Sequence, residues 1–256
     1  PMCSFILLIS TTAISAEALG EANRWIRSRG PDHTHQQQWR EGPLHIAAVH
    51  NLLDISGSAV QQPLHRQPGR VLLFNGEIYS PSDGHTPDTE VLYGHLLNNQ
   101  LEPFLQAADG EYAIASLDLS QQRLQLFTDL IGTKPLAYGW RPGQLAIASY
   151  PAALRSLGLT DIHEVPPNSR LDLSLEQLNT LESHEQRLHQ LNLRQDATSL
   201  EAWNAAFLRS VGARAGHFNS QVFVPLSAGY DSGAICCALN QLGVPYVTAT
   251  VGDSEN

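Results

Sequence analysis

The chain has 256 residues, enough for one large domain or two and for a sizeable core. Hydrophobic residues make up 42% and charged residues 16%, and no apolar run approaches the length of a bilayer span, so the composition is that of a globular chain without a membrane helix. A net charge of -10 with no basic stripe argues against a nucleic-acid partner, and three cysteines cannot build a disulfide framework, which places the expected compartment on the reducing, cytoplasmic side. The first ten residues lack the basic region of a secretory signal. Pro1 ahead of Met2 reads as an expression scar; with Met2 removed, Cys3 becomes the N-terminal residue.

In chain order, the apolar run from Cys3 to Ser10 predicts a buried strand. The stretch from Ala13 to Arg29 predicts a helix, with Glu17 and Glu21 early and Arg27 and Arg29 late, as the macrodipole favours. His33 to Gly42 is polar and aperiodic and reads as an exposed loop; its two histidines stand without a recognisable ligand set for a metal. Leu44 to Leu53 returns to strand character. Ser80 to Thr86 is a loop, followed by an amphipathic helix whose cap is Asp88 or Thr89. Glu111 to Asp118 and Arg123 to Thr128 predict antiparallel strands, and short strands follow near residues 137–140, 145–149 and 170–173. Lys134, the only lysine in the chain, sits in a turn bounded by Gly132 and Pro135, where it reads either as a functional group or as a structural ion pair.

Residues 176–198 shift to Gln, Glu, His, Asn and Leu, the composition of a linker, and divide the chain into domains at 1–175 and 199–256. Beyond them lie a helix from Ser199 to Ala215, a strand from Val222 to Leu226, a helix from Ala234 to Leu242 and a strand from Tyr246 to Val251. That order is the opening of a parallel α/β sheet. The loop Ser227-Ala228-Gly229-Tyr230-Asp231-Ser232-Gly233 presents backbone N–H groups at a helix N-terminus, a setting for a nucleotide phosphate, although it lacks the Gly-Lys-Ser/Thr ending of a Walker loop.

The stretch Val71 to Tyr79 runs an apolar strand into Asn75-Gly76. Such a step reads as a hairpin turn, or as two adjacent donors forming an oxyanion hole opposite a nucleophile, for which Cys3 is the candidate.

Cys3, Arg29-Gly-Pro-Asp32, Phe74-Asn-Gly-Glu-Ile-Tyr79, Asp88-Thr-Glu90, Asp109-Gly110 and Gly132-Thr-Lys-Pro-Leu136 occur in the order seen in class II glutamine amidotransferase domains, which the chain thus resembles. The loop from Ser227 to Ser232 resembles the pyrophosphate loop of the synthetase domain that follows in asparagine synthetases. The resemblance implies an α+β fold, a four-layer αββα N-terminal-nucleophile hydrolase, followed by the beginning of an α/β ATP-pyrophosphatase domain. It also implies that Cys3 attacks the glutamine side-chain amide with its own α-amino group as base, that Asn75 and Gly76 stabilise the oxyanion, and that Glu77, Asp88, Leu53 and Ile55 contact glutamine. ATP would meet Leu226, Ser227, Gly229, Asp231, Ser232 and Val251, with Mg2+ in a complete synthetase and no cofactor in the glutaminase half.

Three positions depart from the family pattern: Ser4 replaces a usual Gly, Leu52 stands where an Arg holds the glutamine carboxylate, and Ala228 replaces a Gly of the pyrophosphate loop. Asn51 or Arg29 is the expected substitute for the missing Arg. The expected function is a glutaminase module feeding ammonia to an ATP-activated acceptor such as aspartate. The alternatives are a catalytically degenerate domain supporting a synthetase, favoured by Leu52, and a glutaminase serving a different acceptor. Because the synthetases continue well beyond the loop, the reading also expects a fragment or a split protein with weak ATP binding, completed by a C-terminal synthetase half or by a homodimer.

Overall fold

The computed structural model describes residues 3–54, 60–81, 83, 85–176, 178–216, 221–250 and 252. The chain divides into two compact units, Pro1–Leu191 and Asn192–Asn256. The first runs β1 (Ser4–Ser10), α1 (Ala16–Asn23), a short 3-10 turn (Arg27–Arg29), β2 (His33–Glu41), β3 (Leu44–Leu52), β4 (Leu64–Gln67), β5 (Arg70–Ser80), α2 (Asp88–Leu97), α3 (Leu101–Ala107), β6 (Asp109–Asp118), β7 (Arg123–Thr128), β8 (Ala137–Arg141), β9 (Gln144–Ala148), α4 (Pro151–Ser156), β10 (Asp161–Glu164), β11 (Ser169–Ser174) and β12 (Ser183–Arg187). The second carries α5 (Glu201–Gly216), β13 (Val222–Pro225), α6 (Tyr230–Leu242) and β14 (Tyr246–Ala249).

Two six-stranded antiparallel sheets form the first unit, in the orders β10-β8-β9-β1-β3-β2 and β12-β11-β7-β6-β5-β4. Strand alternation sends successive side chains to opposite faces. Phe5, Leu7 and Ile9 of β1 therefore meet Val71 and Leu73 of β5 and Ala113, Ala115 and Leu117 of β6 in a core between the sheets. The alternate residues of the first sheet, Ile6 and Leu8 with Ala47 and Val49, pack against Leu19 and Ala22 of α1 and Leu154 of α4. Leu72, Phe74, Ile114 and Phe127 of the second sheet pack against Leu92, Leu96 and Leu105 of α2 and α3. The result is four layers, αββα, as expected from the resemblance.

Several elements differ from the sequence expectation. The segment expected as a loop from His33 to Gly42 is strand β2, paired with β3 along its whole length. It is an edge strand, so backbone pairing holds it while most of its polar side chains remain accessible, and no apolar run announces it. The expected helix from Ala13 to Arg29 ends at Asn23, after which Ile26 is buried in the core and its carbonyl accepts the Ser4 hydroxyl at 2.8 Å. Asp88 is not a cap: Pro87 holds that position without a side-chain cap bond, and Asp88 opens the helix. Strand β12 lies inside the stretch read as linker and pairs with β11, and the first unit extends through Leu191.

In the second unit β13 and β14 pair in parallel, and α6 begins four residues before its expected start, with Gly229 at its N-cap. Val224, Cys236 and Leu239 form its small core with Val211 of α5 and Tyr246 packed against them. Among the described residues no helix is long and apolar enough to cross a membrane.

Candidate active site

The site grows from the inward faces of the two sheets. Asn75 and Glu77 continue the series Val71, Leu73 that faces the first sheet, and Cys3 continues the series Ile9, Leu7, Phe5 that faces the second. The Asn75-Gly76 step is therefore no hairpin: β5 runs straight through it, paired with Ala113 and Tyr112 of β6. Only glycine fits at position 76, where φ is 155° and a Cβ would lie 2.0 Å from the Glu111 carbonyl oxygen. Asn75 is 1% exposed, and both its side-chain amide nitrogen and its oxygen are without a hydrogen-bond partner among the described residues. An unsatisfied buried amide costs free energy unless something else meets it.

The Cys3 thiol is held at the end of β3, where the Leu53 N–H donates to its sulfur at 3.3 Å and the sulfur lies 3.7 Å from the Leu53 carbonyl oxygen. Burial pushes the thiol pKa up; the Leu53 hydrogen bond opposes this, the Glu77 charge adds to it and the Arg29 charge pulls back. Two residues on, Phe5 is fixed by Ser149, whose hydroxyl accepts the Phe5 N–H at 3.0 Å and whose own N–H donates to the Phe5 carbonyl at 3.1 Å.

The departures from the family pattern have local partners. Ser4 is fully buried, and its hydroxyl links the Ile26 carbonyl to the Asn51 amide, which donates to it at 3.0 Å. Asn51 also donates to Asn23 at 2.7 Å, and its oxygen accepts the Thr34 hydroxyl at 2.8 Å. Its amide is thus committed to holding β1, β2, β3 and α1 together. Arg29 donates through Nε to the Cys3 carbonyl at 3.4 Å and through Nη1 to the Tyr150 hydroxyl, with its guanidinium 4.7 Å from the centre of the Tyr150 ring. Its Nη2 is buried without a hydrogen-bond partner among the described residues.

The carboxylates gather around Glu77, two residues beyond Asn75 on β5. Glu77 faces Glu111 across the β5–β6 ladder, and Asp88 accepts the Ile78 N–H at 2.7 Å. Burial, reinforced by the Asp88 and Glu111 charges and opposed by Lys134, pushes the Glu77 carboxyl up to about 7. Lys134 pairs with Glu111 at 3.2 Å, so the structural ion pair weighed for it is present beside the site. Asp129, which sequence reasoning passed over, holds that turn: its carboxylate accepts the N–H groups of Tyr112, Ile131 and Thr133 at 3.0–3.1 Å. An aspartate at the mouth of a Gly-Thr turn was its only signal. Leu53 thus meets the thiol through its backbone, while Ile55 lies outside the described residues.

In the second unit Leu226, Ser227, Gly229, Asp231 and Ser232 come together at the joint of β13 and α6, and Val251 lies outside the described residues. The Ser232 hydroxyl accepts the Ser227 N–H and the Ser227 hydroxyl accepts the Gly229 N–H, each at 3.1 Å, so the loop is closed on itself by its own serines.

A sequence profile of the glutamine amidotransferase domain matches residues 2–191, the stretch that folds as the first unit. An asparagine synthetase (glutamine-hydrolyzing) of Sandersonia aurantiaca is 30% identical over 131 residues, covering 47% of this chain and 24% of that protein. A putative asparagine synthetase of Methanocaldococcus jannaschii is 32% identical over 117 residues, covering 43% of this chain and 22% of that protein. The chain thus spans about a quarter of the length of these curated relatives. Among solved structures, the allosteric regulatory enzyme of purine biosynthesis superposes with a TM-score of 0.56 at 16% identity over 98% of this chain and 66% of its own. Glutamine phosphoribosylpyrophosphate amidotransferase from B. subtilis gives 0.57 at 17% identity over 98% and 69%. These two likenesses show the N-terminal-nucleophile fold. With the four-layer architecture and a profile match that spans the first unit, the chain belongs to the class II glutamine amidotransferase domain family.

Proposed function

We propose that the first unit hydrolyses L-glutamine at Cys3. In a form whose first residue is Cys3, the free α-amino group takes the thiol proton and the sulfur attacks the side-chain amide carbon. The C–N bond then breaks to release ammonia, and water cleaves the thioester to give glutamate. The base matters because burial disfavours the thiolate. Asn75 and the Gly76 N–H are the donors for the tetrahedral oxyanion, and the observation that carries this reading is the buried, unpartnered Asn75 amide on the strand whose Glu77 charge reaches the thiol. Glu77 and Asp88 are assigned to the glutamine α-ammonium. The α-carboxylate, deprived of an arginine at Leu52, is assigned to Arg29, because Asn51 is already committed and Arg29 Nη2 is unpartnered beside Cys3.

The ammonia serves an activated carboxylate acceptor, aspartate by analogy with the names of the relatives. In that scheme Leu226, Ser227, Gly229, Asp231 and Ser232 would hold the pyrophosphate of ATP with its Mg2+ at the N-terminus of α6, where the helix favours an anion, once the serine hydroxyls that take the Ser227 and Gly229 N–H groups give way to the phosphate. Bound ATP would supply adenylation of the acceptor. The rival reading, a non-catalytic domain supporting a synthetase, draws on Leu52. Measuring glutamate release by a form beginning at Cys3, beside Cys3→Ala and a form that retains residues ahead of Cys3, decides between them. Activity only in the free-cysteine form is expected, and its absence there would overturn the glutaminase reading and favour the supporting role.

A further inference from the structure

We infer that Gln62 is a positioning residue for the oxyanion donors: its side-chain amide takes the place of a neighbouring strand on β5 at Phe74 and thereby aims Asn75 and Gly76. This inference rests on the glutaminase reading.

The β4–β5 ladder places Leu64 opposite Leu72, so continuing the antiparallel register would bring residue 62 opposite Phe74. Strand β4 begins only at Leu64, however, and β4 is the last strand of its sheet. Beyond Leu72 the open edge of β5 is met by a side chain. Gln62 Oε1 accepts the Phe74 N–H at 2.7 Å and Gln62 Nε2 donates to the Phe74 carbonyl at 3.1 Å, the two bonds that a strand residue would make. Both residues are buried, Gln62 at 2% exposure, so no solvent stands ready to replace either bond. Gln62 is itself fixed from the other sheet: its carbonyl accepts His35 Nδ1 of β2 at 2.8 Å.

The consequence follows from what Asn75 lacks. Among the described residues its amide has no partner to set its orientation, so the direction in which it donates is set by the backbone on which it stands. Gly76 donates through the backbone itself. On one side that backbone is tied to β6, and on the other it is tied at Phe74 by Gln62. A shift of about an ångström in such a donor costs on the order of a hundredfold in rate, while substrate contacts made by other elements would be left in place.

The test is glutamine turnover by Gln62→Met and Gln62→Glu in forms beginning at Cys3. Gln62→Met keeps length and removes both bonds; kcat is expected to fall about tenfold to a hundredfold with KM within about twofold. Gln62→Glu keeps the acceptor for the Phe74 N–H and, when its acid is protonated, supplies an O–H donor to the Phe74 carbonyl. Its kcat relative to wild type is therefore expected to be highest at low pH and to fall as the carboxyl ionises. The neighbouring His50, pushed down to about 3 chiefly by burial, stays neutral through that range. An active wild type matched by both variants overturns this role alone, as does a pH-independent ratio in Gln62→Glu or a KM rise with kcat unchanged. A wild type without glutaminase activity overturns the function and this role with it.

Discussion

At the scale of single residues, the oxyanion role proposed for Asn75 predicts an effect on catalysis without one on stability. Because its amide meets no partner among the described residues, removing it orphans none of them. Asn75→Ala is therefore expected to lower kcat about a hundredfold to a thousandfold while moving the unfolding free energy by less than about 1 kcal/mol. A loss of activity accompanied by a large loss of stability would make Asn75 a structural residue. Arg29→Ala, by contrast, is expected to raise the KM for glutamine at least tenfold with a smaller change in kcat, since it is assigned to the ground-state carboxylate. Glu77 carries a pH signature. It holds its proton up to about pH 7 in the fold, whereas an ordinary carboxyl releases it near 4.5, so between these values the native state binds more protons than the unfolded chain. Its contribution is complete below about pH 4.5 and is lost as pH rises towards 7, a change on the order of 3 kcal/mol. Urea unfolding at about pH 5 and about pH 8 should show wild type losing stability relative to Glu77→Gln over that interval, and parallel profiles would refute it.

At the scale of elements, the joint between the Arg29-Gly30-Pro31-Asp32 segment and β3 is packed backbone against backbone near the thiol. A Cβ on Gly30 would lie 2.2 Å from the Asn51 carbonyl oxygen and 2.7 Å from the Leu52 carbonyl carbon. Backbone cannot give way as a side-chain tip can, so Gly30→Ala should displace the end of β3 that carries Asn51 and Leu53 and cost about 2–4 kcal/mol by urea unfolding. A cost under about 0.5 kcal/mol would mean that this joint adapts freely. The same joint marks the limit of what the sequence could tell. Strands β1, β3, β5, β6 and β7 were legible because buried strands must be apolar, and the motifs singled out Cys3, Asn75, Glu77 and Asp88 as the candidate site. Strand β2 was not, because an edge strand held by its backbone needs no apolar pattern. Gln62 and Asp129 were passed over, and Asn51 was expected at the glutamine carboxylate rather than as the tie between strands that it is, for a related reason. Each acts by satisfying backbone or side-chain groups that are distant in sequence, at separations of 47, 12 and 17 residues, and spacing along the chain carries no trace of such a bond.

At the scale of the whole molecule, the site belongs to one unit. Cys3 at the start of β1, Leu53 after β3, Asn75 to Glu77 on β5, Glu111 on β6 and the Lys134 turn are far apart in sequence, yet all lie within Pro1–Leu191. Two facing sheets bring them together because each strand contributes its alternate residues to the same interior. Strand β12 closes the second sheet at Arg187, and residues 190–200 then run exposed without helix or strand. Exposed backbone with no regular hydrogen bonding is where a protease finds its substrate, whereas cutting inside either sheet requires local unfolding. Limited proteolysis should therefore cleave first within residues 190–200 and leave a fragment carrying the first unit. If the glutaminase site is complete there, a form beginning at Cys3 should keep its kcat and KM for glutamine within about twofold after the cut. First cleavage within β12 would contradict the boundary at Leu191, and loss of glutamine turnover on clean cleavage would place an essential part of the site in the second unit.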